Sequence, residues 1–82
     1  MRYGETIHTE ACRDEANMRA LEKAGAERVF SGYSGPADGV WISGRGWAKF
    51  LSAGRWTRLQ QRMHRESAAD LLAELEEEAR DE

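Results

Sequence analysis

Hydrophobic and polar positions in the first third of the chain predict a short strand followed by a helix. Arg2–His8 has only Tyr3 and Ile7 among polar residues and is predicted to be an edge strand. From Thr9, a candidate N-cap, the spacing of apolar residues changes to three-, four- and seven-residue steps, which predicts one buried helical face. The residues of this face are Ala11, Met18, Leu21 and Ala24. Gly25 supplies the expected stop.

The middle of the chain predicts a β-hairpin. Arg28–Tyr33 and Val40–Ser43 are rich in β-branched and aromatic residues, and the Ser34–Gly39 segment between them is dense in turn formers. Because this segment is longer than two residues, the predicted connection is not a tight turn.

The sequence after the hairpin predicts helices. Trp47, Phe50 and Leu51 fall on one face at i, i+3 and i+4, so a helix is predicted to begin near Trp47 and to be interrupted at Gly54. Such a helix–glycine–helix order suggests a helix-turn-helix. Phe50 argues against that motif, because a bulky residue stands four positions before Gly54, where a small residue usually lies.

A final helical region covers residues 56–80. Ser67 is a candidate N-cap with Asp70 at the N3 position, so the region can be one helix or two helices joined near Ser67. Since the region contains neither proline nor glycine, a continuous helix is favoured.

This element order predicts a single α+β domain over residues 1–82. Its small antiparallel sheet, the hairpin plus the edge strand, is covered by two to three helices and followed by an acidic C-terminal helix. At this size only roughly 60–65% of the unfolded surface can be buried, so a partner or a second copy can complete the core. The core candidates are Ile7, Met18, Leu21, Val29, Phe30, Val40, Ile42, Phe50, Leu51, Leu59, Met63, Leu71, Leu72 and Leu75.

The charges are strongly polarised along the chain. Residues 39–65 carry six cations, all three tryptophans and no acid, whereas residues 66–82 carry eight acids and one cation. The net charge of −3 conceals this separation. Such polarity indicates interaction through charge, either within the chain or with a partner.

The basic segment 45–65 has two interpretations. Its arginines can attract phosphates and its tryptophans can stack on bases, which would make the protein a small DNA- or RNA-binding regulator. Alternatively, the tryptophans belong to the core and the arginines pair with the acidic end of the chain. The second interpretation is favoured.

The acidic end also has two interpretations. It can be a solvated helix terminus, which is the favoured interpretation, or its carboxylates can occupy the basic groove of a partner. Like charges at i, i+4 and acids at a helix C-terminus both destabilise a helix, so their retention implies a gain such as solubility or a cationic partner.

Catalytic and metal chemistry are weakly signalled. His8, Cys12 and His64 fall short of the four ligands of a structural zinc site, and Cys12 has no flanking signature of a nucleophile. We therefore predict a non-enzymatic protein without a cofactor. The single cysteine suits a reducing compartment, and neither a secretory signal nor a membrane-spanning run is present, so a cytoplasmic location is expected.

The segment Ala20–Phe30 resembles a helix-to-strand passage in serine recombinases. The resemblance covers under a fifth of the chain. It implies a helix that ends at Gly25 and leads into a strand, and it carries over no activity.

Together these features predict a small interaction protein, an inhibitor that occludes a nucleic-acid-binding or protein-binding surface of a larger complex. By size and charge polarity it resembles small phage-encoded inhibitors, including anti-CRISPR proteins. The expected partner is a protein, such as a nucleic-acid-processing complex, with nucleic acid as the alternative. The candidate binding residues are Arg45, Trp47, Arg55, Arg58, Arg62, Arg65, Glu74, Glu76, Glu77, Glu78 and Asp81.

Overall fold

Three helices and three strands make up the fold. The structure is a computed structural model that describes residues 3–35 and 37–81, with side chains from Asp14 onward. The elements are α1 (Tyr3–Ala24), β1 (Arg28–Ser34), β2 (Ala37–Gly44), β3 (Trp47–Ser52), α2 (Ala53–Arg62) and α3 (Ala68–Asp81). The predicted α+β class is confirmed.

The three strands form one antiparallel sheet in the order β1-β2-β3. Val29 pairs with Ile42, and Ile42 pairs with Lys49 on β3. All three of these residues are buried, and they lie on the sheet face that the helices cover. Helix α1 packs on β1, α2 on β2 and β3, and α3 on β3. We call this covered side the inner face and the opposite side the outer face.

The predicted helix near Trp47 is wrong, because this segment is strand β3. Its burial alternates: Lys49 and Leu51 are buried, whereas Ala48 is exposed and Phe50 is half-buried. Six residues are too few to separate a helical period from a strand period by apolar spacing alone. The strand removes the first helix of the suggested helix-turn-helix.

The β1–β2 hairpin is confirmed, but its connection is shorter than predicted. Ser34 pairs with Ala37, so only two positions separate the strands. Most of the turn-forming segment is therefore part of the ladder: Asp38 pairs with Tyr33, and Gly39 pairs with Gly32.

Helix α1 begins at Tyr3, so the predicted edge strand is wrong and Thr9 lies within the helix instead of capping it. Tyr3 and Ile7 are four residues apart, a spacing that also suits one helical face. The predicted stop at Gly25 is confirmed. Gly25 has φ +132°, its N–H donates to the Glu22 carbonyl, and the Ala26 N–H donates to the Leu21 carbonyl, both at 3.1 Å. This is the Schellman arrangement, with Ala26 and Leu21 both buried.

Residues 56–80 form two helices, so the favoured continuous helix is wrong. Helix α2 starts at the N-cap Ser52 and includes Gly54, which does not interrupt it. It ends at Arg62. Helix α3 then starts after Ser67, whose hydroxyl accepts a hydrogen bond from the Asp70 N–H at 3.1 Å. The predicted cap at Ser67 is therefore confirmed, and it begins a new helix.

The core lies between the inner face and the helices. Phe30 and Phe50 were predicted to be core but belong to the outer face, with Phe30 38% exposed. Met18 and Met63 only flank the core, and the side chain of Ile7 lies outside the described ones. The buried hydrophobic residues are Leu21, Ala26, Val29, Val40, Ile42, Leu51, Trp56, Leu59, Leu71, Leu72 and Leu75.

Candidate interaction surfaces

Helix α3 separates its apolar residues from its acidic residues. Leu71, Leu72 and Leu75 are buried, and they hold the helix on β3 and α1. The carboxylates consequently lie along the edges of the helix and on its side that faces away from the core. On the α2 side, several of them meet cations.

Glu78 contacts two cations from different elements. Its Oε1 lies 3.0 Å from Arg55 Nη2 on α2 and 3.7 Å from Lys49 Nζ on β3. The Lys49 side chain is only 9% exposed, so Glu78 supplies a counter-ion to a nearly buried ammonium group. An unpaired ammonium at this position would be costly. This role of Lys49 could not be predicted from the sequence, because a strand assignment is needed to place the residue on the inner face.

Arg62 contacts two carboxylates at once. It donates to Glu66 from Nε and Nη2 and to Glu74 from Nη1 and Nη2, with all four distances between 2.8 and 2.9 Å. These hydrogen bonds lower the pKa of Glu66 and the pKa of Glu74, and they raise the pKa of Arg62. Because one guanidinium group donates paired hydrogen bonds to two carboxylates, it fixes the relative positions of these side chains as well as neutralising part of their charge.

The other candidate residues differ in their availability. Arg45, Arg58, Arg65, Glu77 and Asp81 are exposed, and no ion pair is seen for them in the described part of the chain. Glu76 pairs with Arg80 along α3 at 2.9 Å. Trp47 is half-buried against the core. The structure therefore gathers Arg55, Arg58, Arg62, Glu74 and Glu78 around one cavity of about 220 Å³ between α2 and α3. Arg45 and Trp47 lie elsewhere, at the β2–β3 turn.

The outer face of the sheet carries a row of aromatic side chains that the sequence did not reveal. Phe30, Trp41 and Phe50 occupy directly paired positions on the three strands. Because the described helices pack on the inner face, this row remains open to solvent. Its recognition required β3 to be known as a strand, since Phe50 was otherwise assigned to a helix and to the core.

Contacts within the row hold the rings in place. The Trp41 and Phe50 ring centroids are 5.2 Å apart and the rings are tilted by 56°. Trp41 Nε1 donates to the Tyr33 carbonyl at 3.0 Å. The Arg28 guanidinium lies 4.6 Å from the centroid of the Phe30 ring. A surface so arranged before binding loses little side-chain entropy when a partner docks.

Among the described residues, none on the outer face carries a carboxylate. Strand alternation places one cation, Arg28, on this face, and its other residues are aromatic or small. They are Phe30, Gly32, Ser34, Ala37, Gly39, Trp41, Ser43, Ala48, Phe50 and Ser52. In a chain with 15 acidic residues, such a face is chemically distinct from the helical side.

No model of a protein family, no curated protein and no solved structure matches this chain. Among the described residues, no helix has the length and apolar content required to cross a bilayer. The resemblance of Ala20–Phe30 to serine recombinases implied a helix, a glycine and a strand, and these are the elements found there.

Proposed function

We propose that this protein is a small, non-enzymatic inhibitor that docks on a larger protein and occludes a functional surface of it. The observation that carries the proposal is the open aromatic row formed by Phe30, Trp41 and Phe50 on the outer face. Cytoplasmic action and a phage-type role, as in anti-CRISPR proteins, belong to the same proposal.

The composition of the outer face favours a protein as the occupant. The centres of protein interfaces are enriched in aromatic residues and arginine and depleted in lysine, aspartate and glutamate. The outer face follows this pattern, with Trp41 near its middle and Arg28 at one end. We expect the partner to offer an apolar patch with a carboxylate placed to meet Arg28.

The size of the outer face favours a partner larger than this chain. Three strands spaced about 4.8 Å apart, with residues about 3.4 Å apart, give a face of roughly 350 Å². Stable interfaces bury about 800 Å² on each partner. A flat sheet-to-sheet dimer would fall short of that area, whereas a concave partner can also contact the strand ends and the exposed β2–β3 turn at Arg45.

Docking by the outer face gives occlusion a simple physical basis. The helical side would then point away from the partner and carry the exposed carboxylates Asp70, Glu77 and Asp81. A protein so covered would present negative charge where it had bound nucleic acid, and phosphates would be repelled. Glu74 and Glu78 contribute less to this effect, because they already pair with Arg62 and Arg55.

Nucleic acid is the weaker candidate for the same face. Binding of a phosphate backbone depends on several cations acting together. Among the described residues the outer face has one cation, Arg28, whereas Arg58 lies in α2 and Arg65 follows it, on the other side of the sheet. Trp56 of segment 45–65 is buried and cannot stack on a base.

The proposal is tested by site-specific photo-crosslinking in cell extract. A photoreactive amino acid replaces Ala48, which is exposed on the outer face, or Ala73, which is exposed on α3. We expect one crosslinked protein species from position 48 that is absent from position 73. We also expect the Trp41→Ser substitution to abolish this crosslinked species. The wild-type chain should inhibit the purified partner, and the Trp41→Ser variant should not.

Three results would overturn the proposal. Equal crosslinking from both positions would remove the assignment to the outer face. A crosslinked product of twice the chain mass would identify a second copy as the occupant. A nuclease-sensitive product would identify nucleic acid.

A further inference from the structure

The two edges of the sheet differ in how they are protected. β1 and β3 stand at the two ends of the strand order, so each has one side that pairs with no described strand. Proteins usually protect such an edge with an inward-pointing charge, a proline or a covering helix, because unpaired backbone groups attract another strand. β3 has two of these features, since Lys49 lies on the inner face and α3 packs on the strand.

The edge formed by β1 lacks this protection. After Arg28 at its start, β1 contains neither a charged residue nor a proline. Although α1 packs on β1, Ser31 and Ser34 are exposed and Tyr33 is 73% exposed. The second half of β1 is therefore open on the inner face as well as on the outer face.

One hydrogen bond shows how the backbone of β1 is oriented. The Glu27 N–H donates to the Ser43 carbonyl at 2.8 Å, so this carbonyl faces β1. Ser43 is paired with Arg28, and these two residues consequently form a hydrogen-bonded pair. Hydrogen-bonded and non-hydrogen-bonded pairs alternate along an antiparallel ladder. Every second residue of β1, starting from Val29, therefore turns its backbone N–H and C=O groups away from β2.

The residues whose backbone faces the open side are Val29, Ser31 and Tyr33. In the described part of the chain, the Tyr33 carbonyl accepts a hydrogen bond from Trp41 Nε1 at 3.0 Å. Val29 and Ser31 keep both groups on the open side, and Tyr33 keeps its N–H, because no described strand lies beside them. These groups match the backbone of one further strand.

The open side of β1 adjoins the aromatic row. A strand added there would place a side chain beside Phe30 in a non-hydrogen-bonded pair, where side chains approach most closely. A second side chain would lie beside Gly32. A Cβ atom at Gly32 would lie 3.1 Å from Trp41 Cδ1 and 3.6 Å from Phe30 Cε2, so both rings lie next to this glycine. An added strand would thus extend the aromatic row by one position.

The edge also supplies contact area that the outer face lacks. Seven residues about 3.4 Å apart, in a layer about 10 Å thick, give an edge of roughly 240 Å². Together with the outer face this makes about 590 Å², which is closer to the area of about 800 Å² that stable interfaces bury on each partner. A second copy that paired through this edge alone would bury only the smaller area. A partner that contacts both surfaces is therefore favoured.

We infer that an extended segment of the partner adds to β1 as a fourth, antiparallel strand. Its backbone would pair with Val29, Ser31 and the Tyr33 N–H. Its side chains on the outer face would be β-branched or aromatic beside Phe30 and Gly32, and acidic beside Arg28. The inference rests on the proposed function, because the added strand belongs to the same partner that the outer face contacts.

The test uses two N-methylated forms of the peptide Nα-acetyl-Ser-Thr-Val-Thr-Val-Thr-Glu amide. When it pairs with β1, the peptide places its valines beside Gly32 and Phe30 and its glutamate beside Arg28. Its threonines then turn their N–H groups towards β1, and its valines turn theirs away. N-methylation of both valines leaves the pairing groups intact, whereas N-methylation of the threonines removes them. We expect only the valine-methylated peptide to bind.

Amide hydrogen exchange of the ¹⁵N-labelled full chain measures this binding. At saturation with the valine-methylated peptide, exchange of the Ser31 amide should slow by about tenfold. By the same alternation the Phe50 amide faces the open side of β3, and its exchange should be unchanged.

A proline substitution tests the same edge from the side of the chain. Ser31→Pro removes an N–H on the open side and no hydrogen bond to β2. It should weaken peptide binding, and crosslinking from position 48, by at least about tenfold. Ala48→Pro makes the corresponding change on the open side of β3 and should leave peptide binding unchanged. Since the methylated peptides act on the wild-type chain, their result does not depend on how well either variant folds.

Equal binding of the two methylated peptides would overturn the inference. So would slower exchange at Ser31 that grows with the concentration of the chain alone, because it would identify a second copy as the added strand. If neither peptide binds while crosslinking from position 48 persists, the edge inference falls and the inhibitor proposal stands. If the valine-methylated peptide binds but position 48 yields no crosslinked protein, β1 accepts an added strand and the inhibitor proposal falls.

Discussion

Arg62 on α2 donates two parallel hydrogen bonds of 2.8 and 2.9 Å to Glu74 on α3. The same guanidinium group also donates two hydrogen bonds to Glu66 in the connecting turn. One side chain thus links the end of one helix, the turn and the next helix. The basic and acidic segments of the sequence meet at this point. Part of the charge polarity is therefore neutralised within the fold.

The Arg62 contacts predict a particular dependence of stability on pH. The pKa values of Glu66 and Glu74 lie below their ordinary value of 4.5 in the folded chain. The carboxylates of Glu66 and Glu74 are therefore protonated at a higher pH in the unfolded chain than in the folded chain. The stabilisation that the Arg62 contacts provide is complete above about pH 4.5 and is lost as the pH falls through the lowered pKa values. We expect Glu74→Gln to reduce the loss of stability between pH 6 and pH 3, measured by urea unfolding. Glu77→Gln removes an exposed carboxylate that has no ion pair with any described residue, and this variant should retain the wild-type slope.

Truncation of two adjacent residues on β1 should affect different properties, which are stability for Val29 and partner binding for Phe30. Val29 is buried on the inner face, so Val29→Ala should lower the free energy of unfolding by about 1–3 kcal/mol. Phe30 is 38% exposed on the outer face, so Phe30→Ala should cost less stability and should mainly reduce crosslinking from position 48. Chemical denaturation of both variants provides the comparison. A larger loss of stability for Phe30→Ala would contradict the assignment of faces.

Two glycine-to-alanine substitutions should change the stability of the chain in opposite directions. A Cβ atom at Gly39 would collide with the Leu51 carbonyl oxygen and lie 2.6 Å from Phe50 Cζ, so Gly39→Ala should strongly destabilise the sheet. A Cβ atom at Gly54 in α2 meets nothing within 4 Å, and Gly54→Ala should stabilise the chain by about 0.5–1 kcal/mol. Thermal unfolding of the two variants measures both effects. Equal melting temperatures would show that the close approach of β2 and β3 at Gly39 is absent.

The two serine caps should contribute unequally. Ser67 Oγ accepts from the Asp70 N–H at 3.1 Å, whereas Ser52 Oγ accepts from the Arg55 N–H at 3.5 Å. We expect Ser67→Ala to cost about 1 kcal/mol, within the usual range for an N-cap, and Ser52→Ala to cost less. Urea unfolding monitored by tryptophan fluorescence can resolve this difference. The reverse order would indicate that α2 depends more on its cap than α3 does.

Several local features of the fold could be predicted because their causes are local. Gly25 ends α1, Ser67 starts α3, and the hairpin strands follow from β-branched and aromatic runs on either side of a turn-rich segment. Each of these depends on residues within a few positions of one another. The class and most of the core follow from them.

The remaining elements depend on contacts distant in sequence. Trp47, Phe50 and Leu51 fit a helix and a strand equally well by spacing, and pairing with β2 decides between the two. The break at residues 63–67 has no proline or glycine, and it is accompanied by the Ser67 cap and the Arg62–Glu66 contact. Neither outcome can be derived from a short window of sequence.

The candidate surfaces were predictable only in part. Pairing of the arginines with the acidic end was the favoured interpretation, and Arg55 and Arg62 do pair with Glu78 and Glu74. The aromatic row could not be found, because it brings together three residues spread over 21 positions and requires the register of both strand pairs.

The position of Glu78 has a consequence for when the chain can complete its folding during synthesis. During synthesis the ribosome releases Lys49 long before Glu78, the carboxylate that lies beside its ammonium group. Until α3 has emerged, the inner face of the nascent sheet is missing both the Glu78 carboxylate and the apolar residues Leu71, Leu72 and Leu75. Folding of this small domain is therefore expected to finish only after α3 has left the ribosome.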